Sequence, residues 1–359
     1  MSKEIKVMVA MSGGVDSSVA AALLAEQGYD VCGATLKLFS NEEIGLEEVS
    51  RPCCSLADVE DARRVAYRLG FEHYVFNFGP QFKNEVIDRF ADSYLSGKTP
   101  NPCIDCNRYI KFNKLLERAL LLNMDYIATG HYARVEFDEK SGRYLLKKGI
   151  DRAKDQSYVL YTMTQEQLGK TLFPLGNLLK SEVRTLAAKR GLVNAGKPDS
   201  QDICFVKDGD YASFLENVLK ISSIPGFFTD RDGNILGTHK GIIHYTVGQR
   251  KGLGLSFDRP KYVIRKDAAT NTIVIGDKDE LFCGSMTVRE VNLISMESLS
   301  GPVKAAVKTR YSHKESPATL YPHNNCIYVR FDSPQRAVTP GQAAVFYDGD
   351  IVIGGGIIM

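Results

Sequence analysis

Short apolar runs alternate with helical patterns through the first half of the chain, and no other feature narrows the available folds as far. The run "IKVMVAM" reads as a buried strand, "VDSSVAAALLAEQG" as a helix closed by Gly28, and "YDVCGATLKLF" as the next strand. "LADVEDARRVAYRLG" repeats the helix with a stop at Gly70, "FEHYVFNF" is a strand, and "KFNKLLERALLLNM" with "DYIATGHYA" makes another helix and strand. Strand and helix in turn predict an α/β fold with a doubly wound parallel sheet, whose ligands sit at the carboxyl ends of the strands.

The texture changes near Gly209. "FFTDRDGNILGTHKGIIHYTVGQRKGLGL" is rich in glycine and charge with little helical period, and "DGN" is a turn signal. Beyond "IVIGDKDEL" come short alternating runs such as "SMTVREVNLI", "VKAAVKTRY", "NCIYVRF" and "QAAVFYDGDIVIGGGII", which predict a small antiparallel barrel or sandwich. The expected domains are therefore a catalytic α/β domain at 1–207, a small central module at 208–280 and a C-terminal β domain at 281–359. No internal repeat or low-complexity tract is visible.

Composition excludes several classes. With 45 Lys and Arg against 43 Asp and Glu, the net charge of +2 does not announce a polyanion partner, so any nucleic-acid surface is a local patch. There is no uninterrupted apolar run of membrane-spanning length and no signal-peptide pattern, which makes a cytoplasmic protein without a membrane the expectation, monomeric by default. Cysteines in that compartment are reduced thiols, and those grouped with other polar groups matter most. Cys32, Cys283 and Cys326 stand in apolar or strand-like contexts and read as structural thiols. The adjacent pair Cys53 and Cys54 is assigned a structural or regulatory role without a metal, since neighbours in sequence rarely share an ion or bond each other.

"VAMSGGVDSSVA" sets Ser12, Gly13, Gly14 and Asp16 between the first strand and the first helix. Glycines there let backbone amides close on a phosphate, and the helix N-terminus adds its dipole. Without the Gly-Lys-Ser/Thr ending of a Walker A loop, transfer of a γ-phosphate is not what the loop suggests. The plainer reading is a strand-to-helix turn, with Ser17 or Ser18 near the cap and nothing bound. "SGGVDSS" resembles the pyrophosphatase-type (PP) loop of adenine nucleotide α-hydrolase-like enzymes, which cleave ATP between the α and β phosphates. By that likeness Asp16 helps place magnesium and pyrophosphate.

The second constellation is "KTPNPCIDCNRYIKF" with "KPDSQDICFV", carrying Cys103, Cys106 and Cys204. From residue type alone these thiols suit a metal, a disulfide or a nucleophile. Together with "CCSLADVEDARRVAYRLG", "ATGHYAR", "KDQSYVLY", "HYTVGQRKGLGL", the "RY" of Arg310 and Tyr311, and "TPGQAAVFY", they make the whole chain resemble the bacterial tRNA-specific 2-thiouridylases, the MnmA family. The resemblance implies adenylation by ATP of O2 of the wobble uridine (position 34) of Lys, Glu and Gln tRNAs, followed by sulfur delivery to C2. It also implies a cysteine desulfurase or relay protein as sulfur donor. Cys204 would then bear the persulfide, with Cys106 as the partner thiol that closes a disulfide with it. Asn101 and Pro102, with Cys103, would border the flipped uridine. ATP would meet Ala10, Met11, Ser12, Gly13, Gly14, Val15, Asp16, Ser17, Leu36 and Gly130. His131, Lys154, Asp155, Gln156, Arg310, Tyr311 and Gln342 would touch tRNA.

One departure stands out. Many family members carry Asp where this chain has Cys103, so a carboxylate is lost and Cys-x-x-Cys is created. Cys103, Cys106 and Cys204 then form a three-thiolate set able to hold three irons of a [4Fe-4S] cluster, as in related thiolases; zinc would lack a clear fourth ligand. Two other readings compete. A small-molecule ATP pyrophosphatase ligase or amidotransferase has no use for the cysteine strings, and a metal-cluster RNA-binding module leaves "SGGVDSS" unexplained.

Overall fold

The computed structural model describes residues 4–40, 56–198, 203–206 and 209–359; Cys53 and Cys54 lie outside the described residues. The first domain is laid down by β1 (Lys6–Ala10), β2 (Asp30–Lys37), β3 (His73–Asn77) and β4 (Tyr126–Ala128). A hairpin of β5 (Ala133–Asp138) and β6 (Arg143–Lys148) and the short β7 (Thr171–Leu172) follow. The sheet runs β3-β2-β1-β4-β7, with every neighbouring pair parallel. The chain moves outward from β1 first to one side and then to the other, so the switch point that opens a ligand crevice lies between β1 and β4.

Strand alternation explains the two covered faces. Val7 and Val9 on β1 pack with α1 (Val15–Glu26), α2 (Leu56–Leu69) and α3 (Lys180–Lys189), whereas Met8 points to the opposite cluster with Phe82, Phe90, Ile110 and Leu115. The expected doubly wound sheet is present. Because α1 is wedged between the sheet and its neighbouring helices, even Ser17 and Ser18 are buried, and the helix shows no solvent stripe.

Among the parts of this domain that were not read from sequence, two stand apart. One is the helical stretch Gly79–Phe82, Lys83–Asp88 and Arg89–Leu95, whose inner two turns are wound in the wider π manner. The other is the β5–β6 hairpin, which leaves the first domain and pairs Lys147 with Ile351 of the last strand.

The central module is a four-stranded sheet of β8 (Gly226–Thr229), β9 (Ile235–His239), β10 (Tyr262–Asp267) and β11 (Thr272–Gly276). Its β8–β9 turn is the expected "DGN": Asp230 accepts from the amides of Asp232 and Asn234 at 2.9 Å, and Gly233 takes a φ of +88°. The last domain comprises β12 (Phe282–Leu293), β13 (Val303–Lys308), β14 (Ser316–His323), β15 (Cys326–Arg336), β16 (Ala343–Asp348) and β17 (Ile351–Ile358). The order β12-β15-β14-β13-β16-β17 is closed by β12 pairing with β17, so the β domain is a barrel and not a sandwich. Val288, Leu320, Val329 and Phe346 fill its interior.

Candidate active site

Residues 10–17 cross from β1 to α1 at the switch point. Gly13 has a φ of +71°, and a Cβ there would stand 2.4 Å from the Asp58 carbonyl oxygen, so the close approach of α2 demands glycine. Gly14 caps α1 without a side-chain bond. The Ser17 and Ser18 hydroxyls donate to its carbonyl at 3.1 Å each, so neither serine is the cap that a plain turn would use. The amides of the first helical turn are left facing the crevice with the helix dipole behind them, an anion site. A Cβ on Gly130, just past β4, would lie 2.7 Å from the Ser17 amide nitrogen. Ala10, Met11, Ser12, Gly13, Gly14, Val15, Asp16, Ser17 and Gly130 are thus brought together, with Leu36 near the carboxyl end of adjacent β2.

Around this loop stand residues that sequence reading missed. Lys180, at the start of α3 and 8% exposed, donates to both Asp16 carboxylate oxygens at 2.7 and 2.8 Å, and the Tyr132 hydroxyl donates to Asp16 at 2.8 Å. Asn194 donates to the Gly13 carbonyl at 3.0 Å and to Ser18 Oγ at 2.8 Å; Lys197 reaches the same carbonyl at 3.2 Å and pairs with Asp58 and Asp61. Burial alone would lower the Lys197 pKa, but its bonds to the two aspartates outweigh that and hold it above the ordinary value. No local signal marked Lys180, whose partner Asp16 is 164 residues away. Lys197 opens the quoted "KPDSQDICF".

The cysteine helix starts at Pro102–Asp105, with Asn101 as N-cap accepting from the Cys103 amide at 3.1 Å and Pro102 at the first helical position. Cys103 is exposed, whereas Cys106, one turn on, is half-buried. Cys106 and Cys204 pack on the same apolar cluster, where Phe205 is anchored edge-on to Phe82 and Phe90. Burial raises the Cys106 thiol above its ordinary pKa, partly opposed by Lys111. Burial also pushes Asp105 up to about 6, against the pull of Arg89 and Arg108.

The approach to this helix is fixed from the barrel. Gln342 donates to the Thr99 carbonyl at 2.7 Å, the Thr99 amide donates to the Pro340 carbonyl at 3.0 Å, and a Cβ on Gly341 would lie 2.7 Å from Lys98. From the central module, Lys266 donates to the Tyr245 carbonyl at 2.8 Å and reaches the Lys98 carbonyl at 3.5 Å.

Comparison with known proteins agrees with this division. Residues 5–208 match the tRNA methyl transferase HUP domain, 212–277 the tRNA methyl transferase PRC-barrel domain and 284–358 the Aminomethyltransferase beta-barrel domain. A tRNA-specific 2-thiouridylase MnmA of Acetivibrio thermocellus is 54% identical over 359 residues, covering 100% of both chains. Another of Clostridioides difficile is 53% identical over 354 residues, with 98% of each chain covered.

The chain belongs to the tRNA-specific 2-thiouridylase MnmA family. For this MnmA-family chain, the residues that the resemblance directs toward tRNA fall into two groups, with Asp155 joining them. Tyr311 is 43% exposed; its hydroxyl donates to the Asp155 carbonyl at 3.4 Å, and burial, then Asp155 and Cys103, raise its pKa. Cys103, Asp155 and Tyr311 therefore share one rim, beside half-buried Lys154. The second group is engaged inside the fold. His131 is 9% exposed between Phe112 and Phe173, its Nδ1 lies 2.7 Å from Thr129 Oγ1, and burial holds its pKa well below 6.5. The Gln156 side-chain oxygen accepts from the Tyr132 amide at 3.1 Å, and Asp155 accepts from the Gly149 amide at 3.0 Å and the Ser157 hydroxyl at 2.9 Å. Arg310 ties the Val247 carbonyl of the central module, at 3.1 Å, to Thr339 of the barrel.

The three-cysteine cluster does not fit the donors. Among the described residues no group of three or more His, Cys, Asp or Glu could hold a metal ion, so Cys103, Cys106 and Cys204 do not make a three-iron ligand set here. At the nucleotide loop, the Asp16 carboxylate, here paired with Lys180, is the residue that would hold magnesium beside the phosphates. Among the described residues no helix is long and apolar enough to cross a membrane.

Proposed function

We propose that the chain is an ATP-dependent tRNA-uridine 2-sulfurtransferase, acting on the wobble uridine of Lys, Glu and Gln tRNAs. The observation that carries this reading is the uncapped α1 N-terminus at the sheet's switch point, on one chain with a thiol helix whose entry is held by two further domains. Full-length likeness to thiouridylases supports it, whereas the methyl-transferase wording belongs to the descriptions of the separate domains.

ATP lies with its phosphates over the α1 amides. O2 of the extruded uridine attacks the α-phosphorus and pyrophosphate leaves, its charge met by the helix dipole and the ammonium of Lys180. Adenylation turns a poor leaving oxygen into AMP. The terminal sulfur of a Cys204 persulfide attacks C2, AMP departs, and Cys204 is joined to the base through a disulfide. Thiolate Cys106 then attacks the Cys204 sulfur, forming a Cys106–Cys204 disulfide and releasing the 2-thiouridine. An external dithiol reduces that disulfide, and a desulfurase or relay protein reloads Cys204. Burial keeps Cys106 a thiol until RNA is bound, which limits idle attack on the persulfide.

The test separates the two half-reactions. Cys204→Ala abolishes 2-thiouridine formation while tRNA-dependent pyrophosphate release persists, and Asp16→Ala loses both. Thiolation by Cys204→Ala protein would remove the persulfide assignment.

A further inference from the structure

Behind the cysteine helix lies a cleft that the chemistry above does not use. Cavities of about 250 and 390 Å³ adjoin along it, sharing Arg108, Thr162 and Glu290, and the first opens beside Asn101, the residue expected to border the extruded uridine. One wall belongs to the first domain and the other to β12 and β17 of the barrel.

Four cations converge on this space: Arg89, Lys98, Arg108 and Arg289. Three carboxylates, Asp92, Asp105 and Glu290, face it as well, but they do not saturate the guanidinium groups. Arg89 stands 3.8 Å from Asp105, and Arg289 stands 3.6 Å from Glu290, both longer than a hydrogen-bonded pair. Arg89 and Arg108 both lie over the Tyr109 ring, at 4.9 and 5.1 Å from its centroid, which fixes their planes and leaves their edge donors to point elsewhere. A second observation is independent of charge. Thr162 is only 8% exposed and lines both cavities, yet its hydroxyl has no hydrogen-bond partner, and neither has the buried Nε of Arg89. Buried donors without partners are costly, and a ligand oxygen between them removes the cost.

The ligand that suits fixed guanidinium edges and a hydroxyl donor is a tetrahedral oxyanion. With the Tyr109 ring already covered by cations, base stacking on it is disfavoured and backbone contact preferred. We propose that this cleft binds a backbone phosphate of the tRNA strand next to the extruded uridine. The assignment rests on the sulfurtransferase reading, because it takes the RNA to be present at Asn101.

The experiment measures tRNA affinity of the full chain between about 50 and 300 mM salt, for the wild type and for Arg108→Gln and Arg289→Gln. Each phosphate contact contributes a slope of roughly 0.7 in log affinity against log salt on single-stranded RNA. Each variant is expected to bind about five- to ten-fold more weakly with its slope reduced by about that amount, and to raise the KM for tRNA with kcat retained. Arg289 is half-exposed on the barrel, so its replacement keeps the fold even if Arg108→Gln does not. Unchanged slope and affinity in Arg289→Gln would overturn the proposal. So would protection of the cleft by inorganic phosphate with no change in the slopes, which would make it a free-anion site. Failure of the wild type to bind or thiolate tRNA would sink the sulfurtransferase reading instead.

Discussion

The nucleotide loop and the cysteine helix are both strand-to-helix or loop-to-helix turns, yet they are held in opposite ways. The loop is fixed within its own domain: Asn194, Lys197, Lys180 and Tyr132 all reach it from neighbouring elements of the same sheet and its helices. The cysteine helix owes its entry to foreign domains, through Gln342 of the barrel on Thr99 and Lys266 of the central module on Lys98. The loop is thus positioned by one domain, and the cysteine helix by the assembled chain.

The sharpest way to break that contrast is at Lys180. Lys180→Met leaves Asp16 without its counter-charge, and pyrophosphate release and thiolation should fall together, by about 10²-fold or more, in steady-state assays of both products. A loss confined to thiolation would mean that Lys180 serves the cysteines instead.

Gln342→Ala probes the other region. With the Thr99 carbonyl released, the cysteine helix loses its register against the barrel, and thiolation should slow about ten-fold while pyrophosphate release changes less than two-fold. Equal losses would show that the barrel also positions the nucleotide.

The smallest effect concerns Lys266, whose pKa burial lowers from 10.5 to about 8. Between those values the unfolded chain binds the proton and the folded one does not, so this lysine makes stability rise as pH climbs from about 8 to 10.5; below 8 both states are protonated and the full penalty stands. Lys266→Met should flatten that rise in thermal melts and increase the midpoint at neutral pH by a few degrees. An unaltered pH dependence would relieve Lys266 of its part in the comparison.

This contrast also explains how much the sequence disclosed. The loop was readable because its determinants are local: a buried strand, glycines that the backbone needs and a helix, all within residues 6–26. The thiols were visible as residue types. Their supports were not, since Gln342 and Thr99 are far apart in sequence and meet only through the fold. Lys180 and Tyr132 escaped for the same reason. The hairpin at 133–148 was hidden because its pairing partner is the final strand, and the aromatic neighbours of His131 come from distant parts of the chain.

That hairpin bears on how such proteins can be recombined. Tyr132 grips Asp16 with its hydroxyl, and the very next residue begins β5. The hairpin is fastened to the barrel by the Lys147–Ile351 pairing and by Lys148 with Glu315 at 2.7 Å from β6, and by Arg134 with Asp350 at 2.9 Å from β5. The ATP module and the C-terminal module are therefore not exchangeable cassettes. A chimaera joined at the visible domain boundary would keep both parts and lose the ribbon's fit to its new barrel, and a successful graft has to carry residues 130–148 together with the strands they meet.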